Sequence, residues 1–173
     1  KALMRRGNTH QNSASTVETT AAPDLPPETL MVKTLGQCEL RIADRRLSWT
    51  EELSPAQRQF MAMLVGTLSG KISQEEVQVA FWPDSSPARA RSSFDSLLSR
   101  VRRTLDQVLA PFDSKKYLVV KRGYLCLENV RIDAHEFYRL NRKGNHQLAA
   151  GELWPAEISF SSAFSLWQGS FLP

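Results

Sequence analysis

Three short runs of alternating apolar and polar residues open the patterned part of the chain. The runs are MVKTL, CELRI and RRLSW, at 31–35, 38–42 and 45–49, and Gly36-Gln37 and Ala43-Asp44 separate them. Alternation with a period of two places side chains on opposite faces of a strand, and turn residues join neighbouring strands. The pattern therefore predicts a small antiparallel sheet.

Helix-starting signals follow this sheet. Ser54 before Pro55 combines a capping hydroxyl with a proline at the first helical position, which predicts a helix that runs to about Ser69. Ser73 and Glu76 have the spacing of a capping box, which predicts a second, short helix that a Trp-Pro pair closes.

A third helix is predicted over 87–109, because Ser86-Pro87 repeats the first starting signal and a helical period follows. At 3.6 residues per turn its apolar residues form one stripe. The stripe contains Phe94, Leu97, Leu98, Val101, Leu105, Val108 and Leu109. The opposite face carries Arg89, Ser92, Ser96, Ser99, Arg100 and Arg103, while Arg91, Arg102 and Asp95 lie on one flank.

Beyond this helix the pattern returns to strands and then to helices. The runs YLVV and YLCL flank Lys121-Arg122-Gly123, which predicts a hairpin with a basic tip. Two further helices are expected near 134–150 and 156–168. The aromatic residues of the last segment, from Phe160 to Phe171, are expected to fold back onto the preceding domain or to contact another protomer.

The charge of the chain is concentrated on the third helix. Of the 22 basic and 18 acidic residues, five arginines and one aspartate lie between Ser86 and Leu105, so this segment carries the whole net charge of +4. Serine is a poor helix former, but its small side chain allows close approach to a surface. Arginines among serines indicate a site for phosphates and base edges. The alternative is a solvated basic face whose arginines pair with acids elsewhere.

The remaining composition narrows the class of protein. Residues 7–28 are dominated by Ser, Thr, Ala and Pro, which predicts a linker. No apolar run is long enough to cross a membrane and no secretory signal is present, so a soluble cytoplasmic protein is expected. Cys38 and Cys126 are expected to be reduced packing residues.

Enzymatic chemistry has little support. His10, His135 and His146 lack metal-ligand spacing, and His135 is expected to cap the start of a helix. There is no glycine-rich phosphate loop. The sequence therefore predicts neither a catalytic site, nor a cofactor, nor a metal.

Several motifs resemble a known family in their order and spacing. They are LGQCELRI, VAFWPDSSPARAR, SRVRRTL and KRGYLCL, followed by a tail IDAHEFYRL…AFSLWQGSFLP. Together they resemble the SARP-type bacterial transcriptional activators. The resemblance implies an α+β fold with an OmpR/PhoB-type winged helix–turn–helix over 29–130, and the start of a helical activation or oligomerisation domain over 131–173. KALMRR, before the linker, resembles the end of a receiver domain of a two-component response regulator, so 1–28 is expected to be a linker after such a domain.

The resemblance also implies roles for residues. Helix 87–109 would lie in the major groove of double-stranded DNA, and the loop 83–87 would touch RNA polymerase. The expected DNA contacts are Arg89, Arg91, Ser92, Asp95, Ser96, Ser99, Arg100, Arg102, Arg103, Lys121 and Arg122. The expected polymerase-contacting loop is Pro83, Asp84, Ser85, Ser86 and Pro87. Activation is favoured over repression, and a homodimer is left open.

Two positions depart from the family pattern. Leu97 stands where relatives often have a histidine, and Leu125 stands where a basic residue follows the Gly-Tyr of the wing. The first change is expected to remove a polar contact near DNA, and the second to leave minor-groove contact to Lys121 or Arg122. The rival interpretation is a protein-interaction module, since a winged helix can keep its fold and bind an acidic partner or RNA polymerase instead of DNA.

Overall fold

The structure, a computed structural model, describes residues 28–173. The expected receiver fragment and almost all of the linker fall in 1–27, outside the described residues, and both remain predictions.

The N-terminal sheet contains the three expected strands and one more. These are β1 (Leu30–Lys33), β2 (Glu39–Ile42) and β3 (Arg45–Ser48), joined antiparallel. The fourth strand, β7 (Val130–Ile132), comes from the far end of the winged domain and pairs parallel with β1. The strand order is β3-β2-β1-β7, so the expected domain boundary after residue 130 falls inside a strand of this sheet.

Four helices follow the first three strands. A single turn, α1 (Trp49–Glu52), precedes α2 (Pro55–Val65), α3 (Gln74–Phe81) and α4 (Pro87–Val108). The expected capping box is present at the start of α3, and the expected Ser54 cap of α2 is also part of a capping box, with Gln57. The prediction that α2 reaches residue 69 is wrong: the helix is capped at Gly66, and the chain turns into a short strand, β4 (Lys71–Ser73).

The second sheet is the predicted hairpin extended by β4. A 3₁₀ turn (Ser114–Lys116) leads into β5 (Leu118–Lys121) and β6 (Tyr124–Leu127). The strand order is β4-β6-β5, so the strand before α3 supports the hairpin from the side. We call the β5–β6 hairpin the wing.

The apolar stripe of α4 forms the centre of the core. Phe94, Leu97, Val101 and Leu105 are at most 1% exposed, and the Phe94 ring lies 6.0 Å from that of Phe60 on α2. The predicted stripe is confirmed, with Val108 only partly buried. Burial of each such side chain contributes about 1.5–3 kcal/mol, which holds α4 with its opposite face outward.

The C-terminal segment is a helical hairpin made of α5 (Asp133–Ala149) and α6 (Leu153–Leu166). A Cβ on Gly144 would lie 2.7 Å from the Phe160 ring, so glycine allows the two helices to approach closely. After α6 the chain returns to β1, where Leu172 N donates to Thr34 O. The end of the chain thus folds back, although Phe164 stays 75% exposed.

Two minor expectations are refined. His135 does not cap its own helix; its Nε2 donates to the carbonyl of Val65 at the end of α2, 2.7 Å away. Cys38 and Cys126 are free and partly buried. Within residues 28–173, no helix is long and apolar enough to cross a bilayer.

Candidate nucleic-acid interface

The outward face of α4 presents the predicted residues together. The predicted contact residues that line this common surface are Arg91, Ser92, Asp95, Ser96, Ser99, Arg100 and Arg103. All of them are exposed, and Arg89, one turn before Ser92, is exposed as well. The short serine side chains occupy the middle of this face, and the long arginine side chains project around them. The surface can therefore approach a polyanion closely and donate hydrogen bonds to it.

Ion pairing on this face is limited. Arg91 Nε lies 3.6 Å from Asp95 Oδ2, an exposed pair one turn apart. No other ion pair within residues 28–173 involves an arginine of α4. Arg91 thus pairs with an acid of its own helix, and among residues 28–173 no acid outside α4 forms an ion pair with its arginines. Arg89, Arg100 and Arg103 keep their charge available for a ligand.

Arg102 is placed differently from the other arginines. Its Nη2 donates to the carbonyl of Leu118 at the start of β5, 2.5 Å away. Its Nε is buried and has no hydrogen-bond partner in the described part of the chain. Arg102 therefore links α4 to the wing, and its predicted contact with DNA stays a prediction.

Replacing Arg102 with methionine tests this link. The Arg102→Met side chain keeps most of the apolar stem but loses the bond to Leu118, so we expect the unfolding free energy to fall by no more than about 1.5 kcal/mol. Duplex affinity should fall because the wing is no longer fixed relative to α4, while its salt dependence stays unchanged. Arg103→Met is the matched control, and it should make the negative slope of log K against log[salt] shallower by about 0.9. Equal slope changes in the two variants would mean that Arg102 contacts a phosphate.

The tip of the wing carries one paired and one unpaired cation. Arg122 and Gly123 have φ values of 49° and 82°, which form a two-residue turn suited to a tight hairpin. Lys121 Nζ lies 2.5 Å from Glu128 Oε1. Arg122 is exposed and has no ion pair among residues 28–173. Arg122 is therefore more available than Lys121 to bind a ligand.

The wing variants should therefore differ. We expect Arg122→Asn to lower duplex affinity several-fold for all sequences alike, because one phosphate contact is lost, and asparagine tolerates the left-handed backbone of this turn. Lys121→Gln should have a smaller effect, since Glu128 already neutralises Lys121. Fluorescence anisotropy with two unrelated duplexes measures both effects, and a larger loss for Lys121→Gln would contradict this assignment.

The two departures from the family pattern face the core. Leu97 is 1% exposed and Leu125 is fully buried. The expectation that Leu97 removes a contact near DNA is wrong for this fold, because that position packs inside the domain. Leu125 cannot reach a groove either, so contact by the wing depends on its tip.

One cation beside the wing was missed by the sequence analysis. Lys71 on β4 lies with its Nζ 3.9 Å from the centre of the Tyr124 ring. Its strand was not predicted, because three residues are too few to show an alternation. The position of Lys71, two residues before the Ser73 capping box, was the only sequence feature that could have placed it near the start of α3.

The loop Pro83–Pro87 joins α3 to α4 at the edge of this surface. Asp84 and Ser86 are exposed, and the Ser85 amide donates to the Trp82 carbonyl. Ser86 occupies the N-cap position of α4 but its side chain makes no capping hydrogen bond. The loop is thus accessible, and its contact with RNA polymerase remains a prediction. Residues 28–173 hold no cluster of three or more His, Cys, Asp or Glu that could bind a metal ion.

No family model matches the chain. It is similar to the transcriptional regulatory protein MoaR1 of Mycobacterium tuberculosis, with 30% identity over 141 residues, which cover 80% of this chain and 44% of MoaR1. It is also similar to the transcriptional regulatory protein EmbR of the same species, with 30% identity over 121 residues, which cover 69% of this chain and 31% of EmbR. Neither relative is named as an enzyme.

A solved structure shares the fold. Mycobacterium tuberculosis EmbR in complex with a low-affinity phosphopeptide superposes with a TM-score of 0.63 and 26% identity, over 84% of this chain and 38% of that one. The expected α+β winged helix–turn–helix is confirmed by this likeness and by the order of elements. The chain is therefore similar to transcriptional regulators over less than half of their length.

Proposed function

We propose that this chain is the DNA-binding part of a SARP-type bacterial transcriptional regulator, with an OmpR/PhoB-type winged helix whose α4 enters the major groove. The observation that carries the proposal is the outward face of α4, where exposed arginines surround serines and only Arg91 has an acidic partner within residues 28–173. A polyanion would supply the negative charges that this face lacks. The similarity to two transcriptional regulators supports the same function.

The dimensions of α4 suit a duplex. Arg89 and Arg103 are 14 positions apart, which is about 21 Å along the axis at 1.5 Å per residue. The major groove of B-DNA is about 12 Å wide and admits one helix, so the ends of this face reach the flanking phosphates. In this arrangement Ser92, Ser96, Ser99 and Arg100 face base edges, and Arg103 contacts the backbone.

Further parts of the proposal follow the family resemblance. The loop 83–87 contacts RNA polymerase, and the regulator activates transcription in the cytoplasm. The helical hairpin α5–α6 belongs to an activation or oligomerisation domain.

Selection from a pool of random DNA duplexes tests the proposal, with a salt titration of the enriched sequence and of an unrelated one. We expect a shared motif and a steep salt dependence, because phosphate contacts release counterions. An RNA duplex of the same length should bind weakly, since its deep, narrow major groove does not admit a helix. Absence of duplex binding at low salt would favour the protein-interaction module instead.

A further inference from the structure

A second basic surface lies away from α4. A cleft of about 780 Å³ opens between the loop that precedes β4 and the outer side of α5, with β7 as its floor. Its lining includes no residue of α4 and none of the wing. A duplex bound to α4 therefore uses different residues from any ligand of this cleft.

The cleft has an excess of positive charge. Four cations line it: Arg131, Arg139, Arg142 and Lys143. Its one acidic lining residue, Glu136, accepts from Arg139 Nε at 2.9 Å and lies 3.5 Å from Arg131 Nη2. The hydrogen bonds from Arg139 lower the pKa of the Glu136 carboxyl, so this acid stays ionised and is already paired.

Two of the cations remain available. Arg142 and Lys143 are exposed and enter no ion pair in the part of the chain that the structure describes. Asp133, the other acid at the start of α5, does not line the cleft and accepts hydrogen bonds from Thr34, directly after β1. The cleft thus has no internal acid for these two cations.

Apolar side chains accompany the charges. Leu68 and Tyr138 are 56% and 46% exposed at the cleft, and Ile132 lies buried in its floor. The Arg142 guanidinium lies 5.9 Å from the centre of the Tyr138 ring, so cation and aromatic ring form one surface. A phosphate backbone would use the cations and leave these apolar groups unmatched.

We infer that this cleft binds an acidic protein segment that carries an apolar anchor residue. The carboxylates pair with Arg142 and Lys143, and the anchor packs against Leu68 and Tyr138. From His135 to Lys143 the face of α5 rises by about 12 Å, which matches about four residues of an extended peptide at 3.3 Å each. The inference goes beyond the proposed DNA binding and does not depend on it.

Fluorescence anisotropy tests the inference with a fluorescein-labelled peptide of about ten residues, in which Asp and Glu surround one Trp and one Leu. Wild-type protein should bind this peptide and should bind its Asn/Gln counterpart at least about tenfold more weakly. Arg142→Glu/Lys143→Glu should lower peptide affinity by at least about tenfold, because two attractions become repulsions. Tyr138→Ala/Leu68→Ser should lower it several-fold without a change of charge.

Arg89→Glu/Arg103→Glu on α4 is the matched control, with the same change of charge on another exposed surface. It should leave peptide affinity within about twofold of wild type and lower duplex affinity strongly. Arg142→Glu/Lys143→Glu should instead lower peptide affinity strongly and leave duplex affinity nearly unchanged. Equal peptide losses in the two variants would show non-specific charge attraction and overturn the inference. Displacement of the peptide by a DNA duplex from the Arg89→Glu/Arg103→Glu variant, or absence of peptide binding to wild type, would overturn it too. Failure of duplex binding alone would count only against the proposed DNA function.

Discussion

Arg100→Ala/Arg103→Ala is expected to weaken binding to an enriched duplex by about 10- to 100-fold. Arg100 lies beside the serines on the outward face of α4, and loss of a bidentate contact to a base edge costs about 1–3 kcal/mol of discrimination. Loss of a phosphate contact by Arg103 should make the negative slope of log K against log[salt] shallower by about 0.9. Arg100→Ala alone should therefore reduce the preference for the enriched sequence. It should change the salt dependence less than Arg103→Ala does.

The control for this variant removes two arginines elsewhere. Arg41 and Arg45 are exposed on the N-terminal sheet, and neither enters an ion pair among residues 28–173. Arg41→Ala/Arg45→Ala lowers the net charge equally but should leave both affinity and slope nearly unchanged. Equal losses for the two double variants would show that net charge alone attracts DNA. They would contradict the proposal that α4 contacts the bases in the major groove.

Asp133→Ala is expected to lower the free energy of unfolding by about 3 kcal/mol or more. The Asp133 carboxylate accepts from Thr34 N at 2.8 Å, Thr34 Oγ1 at 2.6 Å, Leu35 N at 3.1 Å and Ala134 N at 2.7 Å. Thr34 is fully buried, so its donors would lose their partner without access to water. Each unsatisfied buried donor costs about 1–3 kcal/mol.

Denaturant unfolding followed by circular dichroism measures this change, and Asp133→Asn is the control. An asparagine oxygen can still accept from one or two of these donors, so Asp133→Asn should lie between wild type and Asp133→Ala. The alanine variant should also loosen α5 from β1, because this carboxylate joins the helical hairpin to the N-terminal sheet. A change of less than about 0.5 kcal/mol would mean that packing alone holds the junction.

The elements of the winged domain follow from local signals. The capping boxes at Ser54 and Ser73 act within four residues, so the starts of α2 and α3 were predictable from neighbours in sequence. The stripe of α4 has the period of a helix, which separates its buried from its outward residues without knowledge of the partner. The outward face with Arg100 and Arg103 was predictable for the same reason, and its contact with DNA stays a prediction.

The ends of elements were less predictable. The expected start of α6 at 156 is wrong by three residues, since the helix begins at Leu153, and α2 ends at Val65, four residues before the expected end. Near a helix end the backbone groups find partners outside the helix, and those partners decide where it stops. Val65 is an example, because His135 supplies a donor to its carbonyl from 70 residues away.

Amino-acid pattern alone was enough for the number of main helices, the hairpin, the core face of α4 and its excess of arginine, because each depends on residues within one or two turns. Only the folded chain decided the parallel pairing of β7 with β1, the hydrogen bond from Arg102 to Leu118 and the cleft beside α5. Each of these joins groups that are distant in sequence, as Asp133 and Thr34 are at 99 residues. Such contacts depend on how the elements pack, and a local pattern carries no record of the distant partner.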